Sequence, residues 1–158
     1  MISASTFRTQ IPVTAESKQT AAKVLDTKAK AKSALQKELG WPTEARKPLI
    51  CLPAGLSEVL GSKLFEQVLP GLLSLQAEIL ILGKGSKDCG EFAMGLAKEE
   101  NHRMAGIPNE PEQIERMLQA SDMALFLFDS TGAPEVQECL VHGTVPIALK
   151  TKELENYN

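Results

Sequence analysis

Two stretches of this chain hold residues that could do chemistry. The first, Gly83-Lys84-Gly85-Ser86-Lys87, is a glycine-bearing turn between an apolar run and a helical pattern. Its backbone could approach a phosphate at a helix N-terminus, with Lys84 or Lys87 adding positive charge. It matches neither a Walker A loop nor the GxGxxG fingerprint, and glycines also serve tight strand-to-helix turns for steric reasons alone. The second stretch is Phe126–Pro146, which reads as the end of a buried strand, a loop, a helix and a Gly-Thr-Val-Pro opening of another strand. Its loop carries Asp129, Ser130 and Thr131, and its helix carries Gln137. A carboxylate beyond the end of a parallel strand is well placed to meet a ligand. The alternative is that Asp129 and Ser130 make a turn or cap the next helix. Glu135 and Glu138, early in that helix, complement its dipole. Glu58 and Lys63 lie near the loop after the first apolar run.

Other chemistries lack their residues. Cys51, Cys89 and Cys139 are odd in number and show no CxxC spacing, so they read as free thiols in a reducing compartment. His102 and His142 are isolated, which leaves no zinc-type ligand set, and no metal or cofactor is expected. A net charge of −3 argues against nucleic acid as a partner of the whole chain, and no run of about 18 apolar residues suggests a membrane span. The charge is uneven: residues 1–47 hold 9 Lys and Arg against 4 Asp and Glu, and residues 48–158 hold 8 against 16. A basic leader thus precedes an acidic body. The leader's Ser/Thr-rich, acid-free start has the composition of a transit peptide, but it is read here as a flexible linker over residues 1–26, with a cytoplasmic location expected.

These candidate loops must be positioned by an alternating framework. Thr27–Leu39 is rich in helix formers and ends at Gly40, a natural C-cap; its lysines are read as a solvated face. Strands are expected at Pro48–Leu52, Glu78–Leu82, Arg103–Gly106, Asp122–Phe128 and Val145–Leu149. Helices are expected at Ser57–Leu75, kinked or split by Pro70, and at Lys87–Asn101, Glu110–Ala120 and Pro134–Val141. Continuous apolar strands alternating with helices imply a doubly wound, Rossmann-like α/β domain of about five parallel strands. Ligands of such folds sit beyond the carboxyl ends of the strands, so four loops matter: 53–57, 83–88, 107–110 and 129–134.

A series of phrases in this order resembles the C-terminal domain of bacterial glycogen synthases and starch synthases. They are Ala34-Leu35-Gln36-Lys37-Glu38-Leu39-Gly40, Leu69-Pro70-Gly71-Leu72-Leu73, Leu82-Gly83-Lys84-Gly85, Ala120-Ser121-Asp122 and Gly143-Thr144-Val145-Pro146. The resemblance covers roughly residues 30–150. It implies one half of a GT-B glycosyltransferase, whose N-terminal domain would be the missing partner, and a donor site for ADP-glucose or another nucleotide sugar. Gly83, Lys84, Gly85, Asp129, Ser130, Thr131 and Gln137 fall at the donor-side positions.

The same resemblance exposes departures. The family places an arginine and, five residues later, a lysine against the donor diphosphate; aligned through Gly61, Gly55 and Leu60 stand there. Thr131 replaces a glutamate that works near the glucosyl group, while Gln137 keeps its place. Ile107 replaces an aromatic residue near the base, and Lys152-Glu153-Leu154 replaces a Gly-Gly-Leu phrase. Each lost cation removes roughly 2–4 kcal/mol of transition-state stabilisation, so no catalytic residue is assigned. Two expectations remain: a nucleotide-sugar-binding domain that is not competent alone, or a non-catalytic scaffold or interaction domain.

Overall fold

The computed structural model describes residues 15–130 and 132–149, with side chains from residue 21 onward. Its elements alternate as α1 (Ala15–Glu38), β1 (Leu49–Leu52), α2 (Ser62–Ser74), β2 (Glu78–Leu82), α3 (Lys87–Glu99), β3 (Met104–Ile107), α4 (Pro111–Ala120), β4 (Met123–Phe126), α5 (Pro134–Val141) and β5 (Val145–Ala148). All five strands pair in parallel in the order β3-β2-β1-β4-β5. This is the expected Rossmann-like α/β arrangement. Every residue of β1 and β2 is buried, as required of central parallel strands covered on both faces.

Alternation along the strands splits the core in two. Leu49, Cys51, Leu80, Leu82, Ala124 and Phe126 point to one face, where they meet α1, α4 and α5 through Leu35, Met117, Leu118 and Cys139. Leu52, Ile79 and Ile81 point to the other, against Phe65 and Leu69 of α2 and the edge of α3. Burial pushes the thiol of Cys51 up to about 12 and that of Cys139 up to about 11, so both behave as small apolar groups.

Three local readings change. Helix α1 begins at Ala15, not Thr27, so residues 15–26 of the stretch read as linker are helical. Alanine and lysine favour helix without apolar periodicity, and Leu25 stays 68% exposed, so a reading by periodicity has no stripe to follow there. Helix α2 begins at Ser62, because Gly61 is left-handed (φ 89°) and Ser57 closes the preceding turn. It runs through Pro70 unsplit, with Phe65 and Leu69 buried on its inner side. At the end of α1, Gly40 (φ 72°) does act as the cap: its N–H donates to Lys37 O and that of Trp41 to Gln36 O.

The largest correction concerns the lysines of α1. Lys32 is only 5% exposed; its ammonium pairs with Asp122 at 2.7 Å and donates to the carbonyls of Ala45 and Lys47. One turn earlier, Lys28 donates to Leu118 O, Gln119 O, His142 O and Thr144 Oγ1. These carbonyls lie at the C-terminal ends of α4 and α5, where a cation suits the helix dipole and the unpaired carbonyls. Burial pushes Lys28 below its usual range, with Asp122 opposing. The lysines spaced i, i+4 are therefore an anchor and not a solvated face.

Candidate functional site

In this strand order the chain leaves β1 toward β2 on one side and returns on the other as β4. The crevice of a doubly wound sheet opens at that reversal, beyond the carboxyl ends of β1 and β4. Three loops border it: residues 53–61 after β1, 83–86 after β2 and 127–133 after β4.

The first two loops are stitched together by backbone. Leu56 N–H donates to Lys84 O (3.0 Å), and Ser86 N–H donates to Leu56 O (3.3 Å). Gly55 is left-handed (φ 83°), and a Cβ placed on it would lie 2.0 Å from the Lys84 carbonyl oxygen. A Cβ on Gly85 would come within 2.1 Å of Leu56 O. Both glycines are thus demanded by the close approach of two main chains. The approach also directs donors inward. Gly83 N–H bonds to Ile107 O (2.7 Å) and Lys84 N–H to Leu82 O (2.8 Å), so three of the four amides from Gly83 to Ser86 face protein carbonyls. Ser86 caps α3, its Oγ accepting from Cys89 N–H at 3.3 Å. Lys84 and Lys87 are exposed, and neither belongs to an ion pair among the described residues.

At the reversal itself, Gly61 meets the loop after β4: a Cβ there would lie 2.2 Å from Leu127 O. Leu60 is half-buried and gives its N–H to Ser57 Oγ at 3.2 Å. Glu58 and Lys63, the charged residues nearest this loop, pair with each other at 3.2 Å in solvent. In the loop after β4, Asp129 is exposed and Ser130 buried, and Ser130 O accepts from Ala133 N–H at 2.9 Å. That is a turn, and the cap residue of α5 is Ala133, without a side-chain bond. Thr131 lies outside the described residues, as does Lys152-Glu153-Leu154. Gln137 is exposed on α5, and Ile107 is buried in the core at 5% exposure, where it presents no ring or face to a ligand.

A cavity of about 320 Å³ lies beside this crevice, between α3 and the β2–β3 face. Ile81, Met104, Ala93 and Ala97 form its walls, and Gly83–Lys87 form its mouth. An apolar lining of this kind suits a hydrophobic group and offers a sugar few partners.

No family model matches the chain. Among curated proteins, a glycogen synthase of Anaeromyxobacter sp. (strain Fw109-5) is 32% identical over 135 residues, covering 84% of this chain and 28% of the relative. A soluble starch synthase 2-1 (chloroplastic/amyloplastic) of Oryza sativa subsp. japonica is 27% identical over 76% of this chain and 16% of its own length. A granule-bound starch synthase 1 of Manihot esculenta is 28% identical over 81% of this chain and 21% of its own length. The homologues of this chain are glycogen and starch synthases. The chain spans about a quarter of the length of the bacterial relatives, 28% in the first case.

Read as a glycogen/starch synthase-like domain, the carboxyl end of the sheet acquires a sharper meaning. At Gly55, where the resemblance expects an arginine, the backbone geometry leaves no room for a side chain. The structure brings Gly83–Gly85 against Gly55 and Leu56, and sets Gln137 on the solvent side of α5. Sequence reasoning missed the synthase-like domain's polar anchor, made of Lys28, Lys32, Gln36, Glu78 and Asp122. Its signal was the spacing of Lys28, Lys32 and Gln36 at successive fours, which puts all three on one helix face.

Proposed function

We propose that this chain is the donor-side domain of a glycogen/starch synthase-like glycosyltransferase, retained as a scaffold without glucosyl-transfer chemistry of its own. The unit includes the whole of α1, from Ala15, and so reaches upstream of residue 27. One observation carries the reading. The position matched to the family's diphosphate arginine is Gly55, left-handed and packed against the Lys84 carbonyl, where a Cβ would approach to 2.0 Å. Charge there is not merely missing; the loop is built around its absence. Leu60, half-buried at the second cation's position, adds to this. A retaining transfer without a metal depends on such cations to stabilise the departing diphosphate. The protein's role is then binding or assembly, in a cytoplasmic setting, with a GT-B N-terminal domain as the natural partner.

A second reading, binding of ADP-glucose without turnover, draws support from the exposed Lys84 and Lys87 beside the start of α3. In it, Gly83, Lys84, Gly85, Asp129, Ser130, Thr131 and Gln137 line the donor side, with three of the loop amides unavailable to phosphate. The scaffold reading is tested by incubating the protein with ADP-glucose and a glycogen primer and measuring ADP release. Release at the no-protein rate is expected; turnover above it would overturn the proposal.

A further inference from the structure

At the opposite end of the sheet, Gln36 of α1 reaches Glu78, the first residue of β2. Both side chains are buried, at 1% and 0% exposure. The Gln36 Nε2 hydrogens go to two acceptors, Glu78 Oε1 at 2.6 Å and Glu44 O at 3.1 Å. That fixes the amide's orientation, because a flip would set its oxygen against both acceptors. Two acceptor atoms of the same pair, Gln36 Oε1 and Glu78 Oε2, are then buried with no donor among the described residues. Leaving two such oxygens unpaired in the interior is costly, and a buried carboxylate more so. A single proton removes both costs.

We propose that the folded protein holds Glu78 as the protonated acid, that its Oε2–H donates to Gln36 Oε1, and that loss of this proton loosens α1 from the sheet. The acid and amide then exchange two hydrogen bonds, one in each direction. The charged groups around Glu78 are Lys32 on α1 and Lys47 and Glu44 on the segment joining α1 to β1. Both lysines are engaged elsewhere, Lys32 with Asp122 and Lys47 with Glu44 at 3.6 Å. Arg103, just before β3, gives its guanidinium to Glu100 and to Leu73 O. Burial outweighs the opposing pull of the Gln36 N–H and of these lysines and raises Glu78 above the usual carboxylate range, in keeping with the two orphaned oxygens. A cavity of about 320 Å³ between α1 and the body, lined by Lys28, Lys32, Gln36 and Asp122, lies on the Gln36 side of the pair.

The linkage sign follows. The folded state holds the proton more tightly than the unfolded chain, so this stabilisation is complete below the ordinary carboxylate pKa. It is lost as pH rises through the raised value, by up to tenfold in the folding equilibrium constant per pH unit. Carbon-detected NMR of the glutamate side-chain carboxyls, with hydrogen exchange of the α1 amides followed over the same pH series, tests this in the wild-type protein. One carboxyl is expected to titrate above the others, with protection of α1 falling as it ionises. Glu78→Gln keeps the shape and both hydrogen bonds, and should abolish the pH dependence of α1 exchange. Titration of Glu78 in the ordinary range, near 4.3, or an unchanged pH dependence in E78Q, would overturn the proposal.

Discussion

The two ends of the parallel sheet are built from different materials. At the amino end, Lys28, Lys32, Gln36, Glu78 and Asp122 tie α1 to strands β1, β2 and β4 and to the ends of α4 and α5 by side-chain hydrogen bonds, the Gln36–Glu78 bond buried and the rest partly so. At the carboxyl end, where a doubly wound fold places its ligand, the loops are joined by main chain, with glycines at each close approach. The charged side chains there, Lys84, Lys87 and Asp129, are exposed. Polar groups held rigidly in the interior are what a ligand site needs, and in this molecule they hold a helix instead. The difference teaches that the polar groups fixing α1 and the loops bordering the crevice occupy opposite ends of the same strands, so that either end can change without the other.

The comparison can be broken most forcefully at Gly55. Gly55→Arg would restore the family's cation type, but it forces a left-handed non-glycine residue against the Lys84 carbonyl. A destabilisation of about 3 kcal/mol or more, read by urea denaturation, is expected with no gain in ADP-glucose binding. A stable variant that binds the donor would show that the loop was never closed. Next in size is the anchor. Lys32→Ala strands two carbonyls and a half-exposed Asp122, and should cost about 2–3 kcal/mol by the same measurement. A loss within 0.5 kcal/mol would mean that the amino end is as loosely held as the carboxyl end.

How much of this was legible in the sequence follows from what each residue type advertises. Apolar runs such as Glu78–Leu82 disclose a buried parallel strand because both faces must be covered. The order of the synthase-like phrases discloses ancestry. The substitutions at Gly55 and Leu60 were visible as missing charge, yet not the reason no charge could fit, since a left-handed φ and a neighbouring carbonyl are tertiary facts. The anchor was hidden because lysine in a helical pattern usually signals solvent. Its partners lie far off in sequence: Lys28 finds carbonyls at the ends of α4 and α5, 90–114 residues away, and Lys32 finds Asp122, 90 residues away.

Smaller effects sharpen the contrast. Of the cysteines, Cys51 and Cys139 are buried and Cys89 is partly exposed at the start of α3. Iodoacetamide at pH 8 should therefore label Cys89 alone in the native protein, as read by intact mass, and modification of Cys51 or Cys139 would contradict the packed core described above. Smallest of all, Lys84→Ala and Lys87→Ala should each change stability by less than about 0.5 kcal/mol, since both are exposed and neither is in an ion pair among the described residues. If either variant weakens ADP-glucose binding, the exposed lysines would be shown to serve a donor after all.

The central claim, that the carboxyl end no longer holds a donor site, is tested most directly by calorimetric titration of the wild-type protein with ADP-glucose. Absence of saturable heat into the millimolar range is the expected result. A sub-millimolar dissociation constant would contradict it.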